Sequence, residues 1–494
     1  MTKKNLLLVL AAGCCVCLNA LSAESYKPAK RWRGFNLMEM FIKGSGMSPG
    51  QYSEQDFQLI SELGFNFVRL PMDYRFWIKD DNWESINEDA LKPIDQAIEF
   101  GKKYNVHVMI NFHRAPGYTV AKPPEKLDLF KDPEALRVCV MHWGMIAKRY
   151  KDVPVEDLSF NLFNEPVATP EEYERVVAAV VKEIRLYNPR RLIVADGLEW
   201  GSKIVPELDK YNIGQATRGY SPHSISHYRA SWAGNPTAMP SWPPSGAVSP
   251  LYGPSKQEHS KPLVIEGVPA CQMIIKPGRV SGNLTFEVKA NDKVIGTFPL
   301  EPKKGAGWSN ADYKEEWKMY QADCDTTLNV ELPAGKSSVS ISIIKGDWAA
   351  LDQITLKDRN GRLAVLSFES AWYKASPVIT FNGFESHSPF HANGMNDGVG
   401  YLREHVMGPW VQAAKEGHFV MTGEFGAYQY TPHGVVLAWM EDYLTIWKEA
   451  DIGWALWNFR GSFGIIDSNR QDVEYEDFHG HKLDRKMLEL LQRY

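Results

Sequence analysis

The strongest constraint on the fold of this chain is an alternation of short apolar runs with amphipathic segments, which extends from Arg33 to about Tyr220. The run 106–112 is mainly apolar, whereas 89–104 carries its apolar residues at helical spacing. Strands that alternate with helices form a parallel sheet with right-handed crossovers. The pattern resumes with a predicted helix at 400–416, and the complete set matches the eight units of a barrel. The sequence therefore predicts an α/β fold, a (β/α)8 TIM barrel.

A different pattern interrupts the barrel after its sixth predicted strand, which we place with its end at His223. Residues 231–262 are rich in Pro, Ser and Gly and predict a long loop. Short strands separated by turn residues then follow, which is typical of a β-sandwich. We therefore expect an all-β sandwich-like module inserted after strand six. The predicted organisation is a signal peptide at 1–23, the first part of the barrel at 24–262, the inserted module at 263–375 and the second part of the barrel at 376–494.

The N-terminus has the features of a signal peptide. Lys3 and Lys4 precede an apolar stretch from Leu6 to Leu18, and Ala23 is a small residue suited to cleavage. No other stretch is long and apolar enough to cross a bilayer. We expect a secreted or periplasmic protein, and the alternative is a lipid anchor on Cys14.

Charge and residue spacing argue against a nucleic-acid partner, a metal site and a cofactor. The formal net charge is −5 without a run of Lys or Arg, so we predict no nucleic-acid partner. We predict no metal site and no cofactor, because His and Cys residues are not clustered. Cys139 is expected to be a buried thiol, whereas Cys271 and Cys324 either pair or stay free. We expect a monomer.

Polar or aromatic residues stand at the predicted ends of the barrel strands. Catalytic groups of such barrels come from the carboxyl ends of the strands, where the loops begin. The candidates, in order along the chain, are Arg69, His113, Asn164 with Glu165, His223, Glu424 and Trp457. Two of them, Glu165 and Glu424, are carboxylic acids. Cleavage of a glycosidic bond requires one protonated and one ionised carboxyl group.

At these positions the chain resembles glycoside hydrolase family 5. The motifs that carry the resemblance are Asn164-Glu165-Pro166, Gly423-Glu424-Phe425-Gly426, Phe67-Val68-Arg69-Leu70-Pro71, His113 before Ala115-Pro116-Gly117, and Trp454-Ala455-Leu456-Trp457-Asn458. The resemblance covers roughly 31–228 and 398–494. It implies a retaining enzyme in which Glu424 is the nucleophile and Glu165 the general acid/base, with carboxyl groups about 5–5.5 Å apart.

The resemblance also implies roles for the neighbouring residues. Arg69 would keep Glu424 ionised, and Asn164 would hydrogen-bond the sugar 2-hydroxyl. His113 and His223 would contact hydroxyls or hold the carboxylates. Trp457 would form the floor of the subsite for the attacked sugar.

Two positions depart from the family pattern. The family has a tyrosine two residues after the strand-six histidine, and its hydroxyl touches the nucleophile; the chain has Ile225 there, with Tyr228 as the nearest substitute. Glu39 follows the first strand where relatives have glycine, and it either binds a substrate hydroxyl or pairs with a lysine.

The leading functional interpretation is an endo-acting β-glycanase that hydrolyses β-1,4-linked glucan. A β-mannanase, a xyloglucanase and an exo-acting β-glucosidase of the same family stay open. An alternative of another class is a non-catalytic carbohydrate-binding protein on a barrel scaffold, which Ile225 supports. The inserted module would wall the cleft, bind polysaccharide or brace the barrel. Its candidate sugar-stacking residues, for which core burial is the alternative, are Trp308, Trp317, Trp348 and Trp372.

Overall fold

The computed structural model describes most of the chain beyond its N-terminal segment. The described residues are 27–44, 47, 49–236, 239–243, 247–370, 372–386, 389–392 and 398–494. The predicted signal peptide at 1–23, including Cys14, lies outside these residues.

Eight parallel strands close into a barrel, which confirms the predicted fold class. They are β1 (Arg33–Asn36), β2 (Phe67–Asp73), β3 (His107–Arg114), β4 (Leu158–Asn161), β5 (Ile193–Asp196), β6 (Gly214–Gly219), β7 (Val420–Phe425) and β8 (Gly453–Leu456). The barrel closes at β1, where Gly34 pairs with Phe67 of β2 on one side and Ala455 of β8 on the other.

Helices connect the strands. The α-helices span Glu54–Glu62, Lys92–Tyr104, Pro133–Arg149, Pro170–Arg185, Leu198–Gly201, His223–Ser226, Gly398–Leu402, Gly408–Lys415, His433–Glu449 and Arg485–Arg493. A π-helical turn spans Arg403–Met407, and 3-10 turns span Tyr74–Trp77, Glu88–Leu91, Pro206–Tyr211, Ser231–Ala233 and Pro254–Lys256. Local sequence defines the start of the helix that follows β4. Thr169 is its N-cap and forms a capping box with Glu172, and Pro170 is its first residue.

The barrel interior is apolar at one level and polar at the next. A buried apolar layer consists of Trp32, Phe67, Met109, Leu192, Val194, Ala216, Met421 and Ala455. Alternate residues of a strand face the same side, so Arg69 lies two residues beyond Phe67 and faces the interior as well. By the same rule Asp196 follows Val194, and Arg218 follows Ala216. The polar layer is therefore set nearer the carboxyl ends of the strands, where the loops begin.

A second compact unit consists of Pro222–Glu404, which lies between β6 and β7 in sequence, and Tyr430–Asp442, which follows β7. Its seven-stranded sheet contains Leu251–Tyr252, Gln272–Ser281, Trp308–Lys314, Met319–Cys324, Leu328–Glu331, Trp348–Lys357 and Leu363–Ser367. Its six-stranded sheet contains Leu263–Val268, Leu284–Ala290, Lys293–Leu300, Ser337–Lys345, Ile379–Phe381 and Phe390–Ala392. Residues of both sheets, such as Met273 and Phe286, share one buried apolar core. The boundaries 263–375 stay a prediction, and the strands of the two sheets run from Leu251 to Ala392.

Short two-stranded ladders complete the secondary structure. They are Ile78–Lys79 with Asn82–Ile86, Val248–Ser249 with Glu369–Ser370, and Glu476–Phe478 with His481–Leu483. Cys139, Cys271 and Cys324 are all buried free thiols in this structure. Within the described ranges, every helix is too short or too polar to span a lipid bilayer.

Candidate active site

Arg69 is the centre of the polar layer and is completely buried. Its guanidinium donates hydrogen bonds to Asn36 Oδ1 at 2.9 Å, Asn161 Oδ1 at 2.9 Å, Asn164 Oδ1 at 3.0 Å and Glu424 Oε1 at 2.6 Å. Burial lowers the pKa of Arg69, and the Glu424 carboxylate opposes that effect. The structure thus brings together three predicted site residues, Arg69, Asn164 and Glu424, from three strands or strand ends.

A second buried arginine, Arg218 of β6, connects the two candidate carboxyl groups. Its Nε donates to Glu165 Oε1 at 3.1 Å, and its Nη2 lies 3.4 Å from Glu424 Oε1. Nη2 also donates to Asn164 Oδ1 at 2.8 Å and pairs with the Asp196 carboxylate. Burial alone would lower the pKa of Arg218, but the three carboxylates raise it, so the guanidinium stays charged.

Sequence reasoning missed both Arg218 and Asp196. The strand-end rule that found Glu165 would also have found Asp196, since Asp196 is the last residue of β5. Arg218 was missed because the predicted end of strand six at His223 is wrong. β6 ends at Gly219, and His223 instead begins the short helix His223–Ser226 after Pro222.

The corrected strand end also identifies the tyrosine that touches Glu424. Tyr220 immediately follows β6, and its hydroxyl donates to Glu424 Oε2 at 3.2 Å. The expectation that this hydroxyl is missing because of Ile225 is therefore wrong. Two residues before the tyrosine, where the family resemblance implies histidine, this chain has Arg218.

Glu165 is held in a left-handed backbone conformation, with φ of 51°. Two hydrogen bonds fix this geometry: its N–H donates to Asp196 Oδ2 at 2.9 Å, and the Tyr118 hydroxyl donates to its carbonyl oxygen at 2.6 Å. Burial raises the pKa of Glu165 to about 7, while Arg218 opposes the rise and Glu424 adds to it. The side chain of Glu165 is still 17% exposed, so a substrate can reach it.

Two buried polar atoms near these carboxyl groups have unused hydrogen-bonding capacity. Among the described residues, neither Asn164 Nδ2 nor His113 Nδ1 has a hydrogen-bond partner. Because both arginines donate to Asn164 Oδ1, the amide is oriented with its Nδ2 donor free. Burial lowers the pKa of His113 well below its ordinary range, and both nearby arginines lower it further, so the ring is neutral.

Trp457, the predicted floor of the sugar subsite, is part of an aromatic cluster. The ring of Phe41 contacts His113 at a centroid distance of 4.5 Å and Trp457 at 5.3 Å, edge to face in both cases. His113 and Trp457 are 5.7 Å apart. Trp457 is half-buried, so part of its ring is available to a ligand.

Three further predicted site residues lie in other surroundings. His223 is exposed in the second unit, bonds Ala233 O through Nε2 at 3.0 Å and stacks on His227. Tyr228 is buried in the same unit, with the Arg229 guanidinium 5.1 Å from its ring. Glu39 belongs to the barrel unit, and the charged groups that act on it are Asp56 and Arg460.

No metal-binding cluster accompanies the carboxyl groups. Across the described parts of the chain, three or more His, Cys, Asp or Glu side chains do not converge in a way that could hold a metal ion. The side chains gathered at this site supply three carboxyl groups (Glu165, Glu424 and Asp196), two guanidinium groups, the Asn164 amide, a phenol and a neutral imidazole.

A (β/α)8 barrel that gathers two carboxyl groups at the carboxyl ends of β4 and β7 has the architecture of a glycosidase barrel. Residues 23–247 match the family model for cellulase, glycosyl hydrolase family 5. The sequence of this part of the chain is therefore similar to that of glycoside hydrolase family 5.

Curated relatives agree with the family model. Endoglucanase C of Acetivibrio thermocellus is 33% identical over 187 residues, which is 37% of this chain and 54% of that protein. Cellodextrinase A of Ruminococcus flavefaciens is 26% identical over 219 residues, 40% of this chain and 61% of that protein. The chain thus spans about half the length of the first of these relatives and somewhat more of the second.

A solved structure covers almost the whole chain. It is a glycoside hydrolase that is 25% identical, covers 94% of this chain and 99% of its own, and superposes with a TM-score of 0.59. The similarity therefore includes the residues between β6 and β7.

Proposed function

We propose that this protein is a retaining glycoside hydrolase in which Glu424 is the nucleophile and Glu165 the general acid/base. The observation that carries the proposal is that the Arg218 guanidinium lies beside both carboxyl groups, whereas the other groups around each of them differ. The Glu424 carboxylate accepts hydrogen bonds from Arg69 and Tyr220 and lies beside Arg218, so two guanidinium groups face it. Glu165 has a pKa of about 7, which allows it to donate and accept a proton near neutral pH.

In the first step the Glu424 carboxylate attacks the anomeric carbon, and the bond from that carbon to the leaving oxygen breaks. Glu165 donates its proton to the leaving oxygen. The product is a glycosyl ester on Glu424, which has lost its negative charge. Because that charge contributes to the raised pKa of Glu165, the pKa of Glu165 falls once the ester forms.

In the second step Glu165 acts as a base. It takes a proton from water, the water oxygen attacks the anomeric carbon, and the bond to Glu424 breaks. Glu424 leaves as a carboxylate, and Glu165 is protonated again. Two inversions give net retention of the anomeric configuration.

The neighbouring residues would orient the sugar and stabilise the transition state. Asn164 Nδ2 would donate to the 2-hydroxyl, an interaction that strengthens as positive charge develops on the ring. The Trp457 ring would support the C–H face of the sugar, and His113 would contact a hydroxyl through Nδ1.

The proposed substrate is a β-1,4-linked glucan, attacked within the chain, by a protein that is secreted or periplasmic. The endoglucanase and cellodextrinase relatives favour glucan, and the leader-like sequence at 1–23 favours export. Mannan, xyloglucan and exo-acting cleavage are the competing outcomes of the test.

The decisive experiment is sugar release from a panel of β-glucans, mannans and xylans by the parent protein and by Glu424→Gln. We expect the parent to act on β-1,4-glucan with rapid loss of viscosity and the variant to be inactive. NMR of the first product should show the β-anomer. A first product of α configuration would refute the retaining mechanism, and a folded parent that releases no sugar from any polymer would refute the hydrolase.

A further inference from the structure

The second unit contains a groove of about 1260 Å³ whose lining residues all belong to that unit. It lies at the end of the two sheets where Trp308–Lys314 turns into Met319–Cys324 and where Ser337–Lys345 turns into Trp348–Lys357. The volume exceeds the range of about 300–1000 Å³ that suits a single small ligand. An extended ligand therefore fits it better.

Aromatic rings line this groove and are exposed to solvent. Trp317 is 53% exposed, Trp372 50% and Tyr373 59%. Aromatic residues of the core of the same unit, such as Phe286, are completely buried. Several large apolar rings exposed around one concavity indicate an interaction site, because their exposure is unfavourable without a ligand.

Neighbouring rings hold two of these aromatic residues in place. Trp372 packs edge to face on Trp348 at a centroid distance of 4.9 Å. Tyr373 stacks on Tyr252 at 5.6 Å with an interplanar angle of 10°, and its N–H donates to the Tyr252 hydroxyl at 2.8 Å. Rings that are already ordered lose little conformational entropy when they bind a ligand.

Fixed polar groups stand beside the rings. The Asp347 carboxylate accepts from the hydroxyls of Ser281 at 3.2 Å and Ser255 at 3.4 Å. Gln321 Nε2 donates to Ser281 Oγ at 3.2 Å. The half-buried carboxylate and amide are thus oriented to exchange hydrogen bonds with ligand hydroxyls.

The lysines of the groove are compatible with a neutral ligand. Of its lysines, Lys314 pairs with Asp312 at 2.5 Å and Lys256 lies 3.7 Å from Asp347. Within the described residues, Lys318 and Lys345 have no ion-pair partner. Both are exposed, so solvent screens their charge, and their ammonium groups can also donate to neutral hydroxyls.

We propose that this groove binds a neutral β-linked glucan chain, as a carbohydrate-binding site separate from Glu165 and Glu424. Flat rings that support the C–H faces of sugars, next to fixed groups that bind hydroxyls, match the alternating apolar and polar surface of such a chain. The identity of the polymer rests on the proposed function, whereas the existence of the groove site does not.

The test measures retention of the full chain in gels that contain a soluble β-glucan, with the Glu424→Gln background used to prevent digestion. Trp317→Ala and Trp372→Ala should each weaken binding at least about tenfold, and Trp317→Phe should retain part of it, since it keeps a ring. Trp232→Ala is the matched control, because Trp232 is 62% exposed and does not line the groove. It should bind like its parent.

Three outcomes would overturn the proposal: unchanged binding in both groove variants, an equal loss in Trp232→Ala, or retention by polygalacturonate alone that is lost in Lys318→Ala. Hydrolysis of short soluble oligosaccharides by the same groove variants with Glu424 intact separates the two hypotheses. Normal hydrolysis with unchanged polymer binding refutes the groove alone. Glucan binding that depends on Trp317 in a parent without hydrolytic activity refutes the proposed function alone.

Discussion

Arg218 shows how one residue can set the protonation of another in this site. Its guanidinium contacts Glu165, Asn164, Asp196 and Glu424, so it balances the negative charge of three carboxylates. Burial raises the pKa of Glu165 and Arg218 lowers it, and the result is a pKa of about 7. A general acid that must later act as a base requires such a balance.

Replacement of Arg218 by Met should therefore raise the pKa of Glu165. The basic limb of kcat/KM, which reports the protonated acid in the free enzyme, should move upward by about one pH unit or more. Arg218→Lys keeps a positive charge and should shift the limb less. A limb that stays in place or moves to lower pH in Arg218→Met would contradict this role.

Glu165→Gln removes the proposed proton donor and keeps the size of the side chain. Turnover of a β-glucan should fall by about 10²- to 10⁴-fold, because the leaving oxygen then departs as an alkoxide. Aryl glycosides with an acidic phenol should lose much less in the bond-breaking step, as their leaving group needs no proton. Glu424→Gln serves as the comparison and should abolish turnover of both substrates; equal losses for both substrates in Glu165→Gln would argue against the acid role.

Glu39 is a half-buried residue whose carboxyl group the proposed mechanism does not use. Burial raises its pKa from 4.5 to about 7, with Asp56 adding to the rise and Arg460 opposing it. Within the described residues, its Oε2 has no hydrogen-bond partner. Between pH 4.5 and about 7 the Glu39 carboxyl group is therefore protonated in the folded state and ionised in the unfolded state. The free energy of unfolding falls as pH rises through this window.

Glu39→Gln should remove this pH dependence. The rise in pKa from 4.5 to about 7 corresponds to about 3 kcal/mol at about 1.4 kcal/mol per unit, as an upper bound. Urea unfolding of the parent should give a higher midpoint at pH 5 than at pH 8, with a smaller difference in the variant. A variant with the same pH dependence as the parent would show that another group is responsible.

At the scale of secondary-structure elements, the barrel depends on a close approach of β1 to β2. A Cβ atom at Gly34 would overlap the carbonyl oxygen of Phe67, and this obstacle is backbone, which cannot rotate away. Gly34 is therefore required by the packing of two strands rather than by a turn.

Gly34→Ala should destabilise the protein by at least about 1–3 kcal/mol, the usual cost of overpacking, measured as a lower urea midpoint or a loss of soluble protein. Gly434→Ala is the control, because Gly434 lies in the helix His433–Glu449 and a Cβ there meets no atom within 4 Å. This control should be neutral or slightly stabilising, since alanine favours helix. Similar losses in both variants would show that the strand contact is not the cause.

At the scale of the whole molecule, two compact units are built from one chain, and each has its own candidate carbohydrate site. The barrel unit holds Glu165 and Glu424, and the second unit holds the aromatic groove. A polymer-degrading protein gains from a binding site apart from its catalytic residues, since it raises the local concentration of substrate.

The N-terminal sequence makes a separate prediction about the exported molecule. Signal-peptide cleavage after Ala23 should give a mature chain that begins at Glu24. Intact-mass measurement of the protein from a host that exports it tests this. Cys14→Ser should leave the mass of that product unchanged, whereas a larger, acylated product that disappears in Cys14→Ser would establish the lipid anchor.

Strand ends show how far sequence reasoning reaches for this site. Asn164, Glu165 and Glu424 stand in short motifs at or just beyond strand ends, so local pattern was enough to make them candidates. Arg69 was also a candidate, but the predicted strand end there is wrong, because β2 continues to Asp73. Arg218 and Tyr220 were missed, because the end of β6 was placed too late. The segment 214–223 has no strong apolar run that would mark the end of the strand, and the backbone pairing shows that contact with β7 stops at Gly219.

Periodicity and strand-end motifs are properties of neighbouring residues, so the sequence alone predicted the barrel and the additional β-structure after its sixth strand, and it made the two glutamates candidates. The tertiary structure alone decided the pKa of Glu165, the guanidinium shared by Glu165 and Glu424, the hydroxyl of Tyr220 and the aromatic groove. These features depend on distances between residues far apart in the chain and on their removal from water. Neither quantity is encoded in any local pattern.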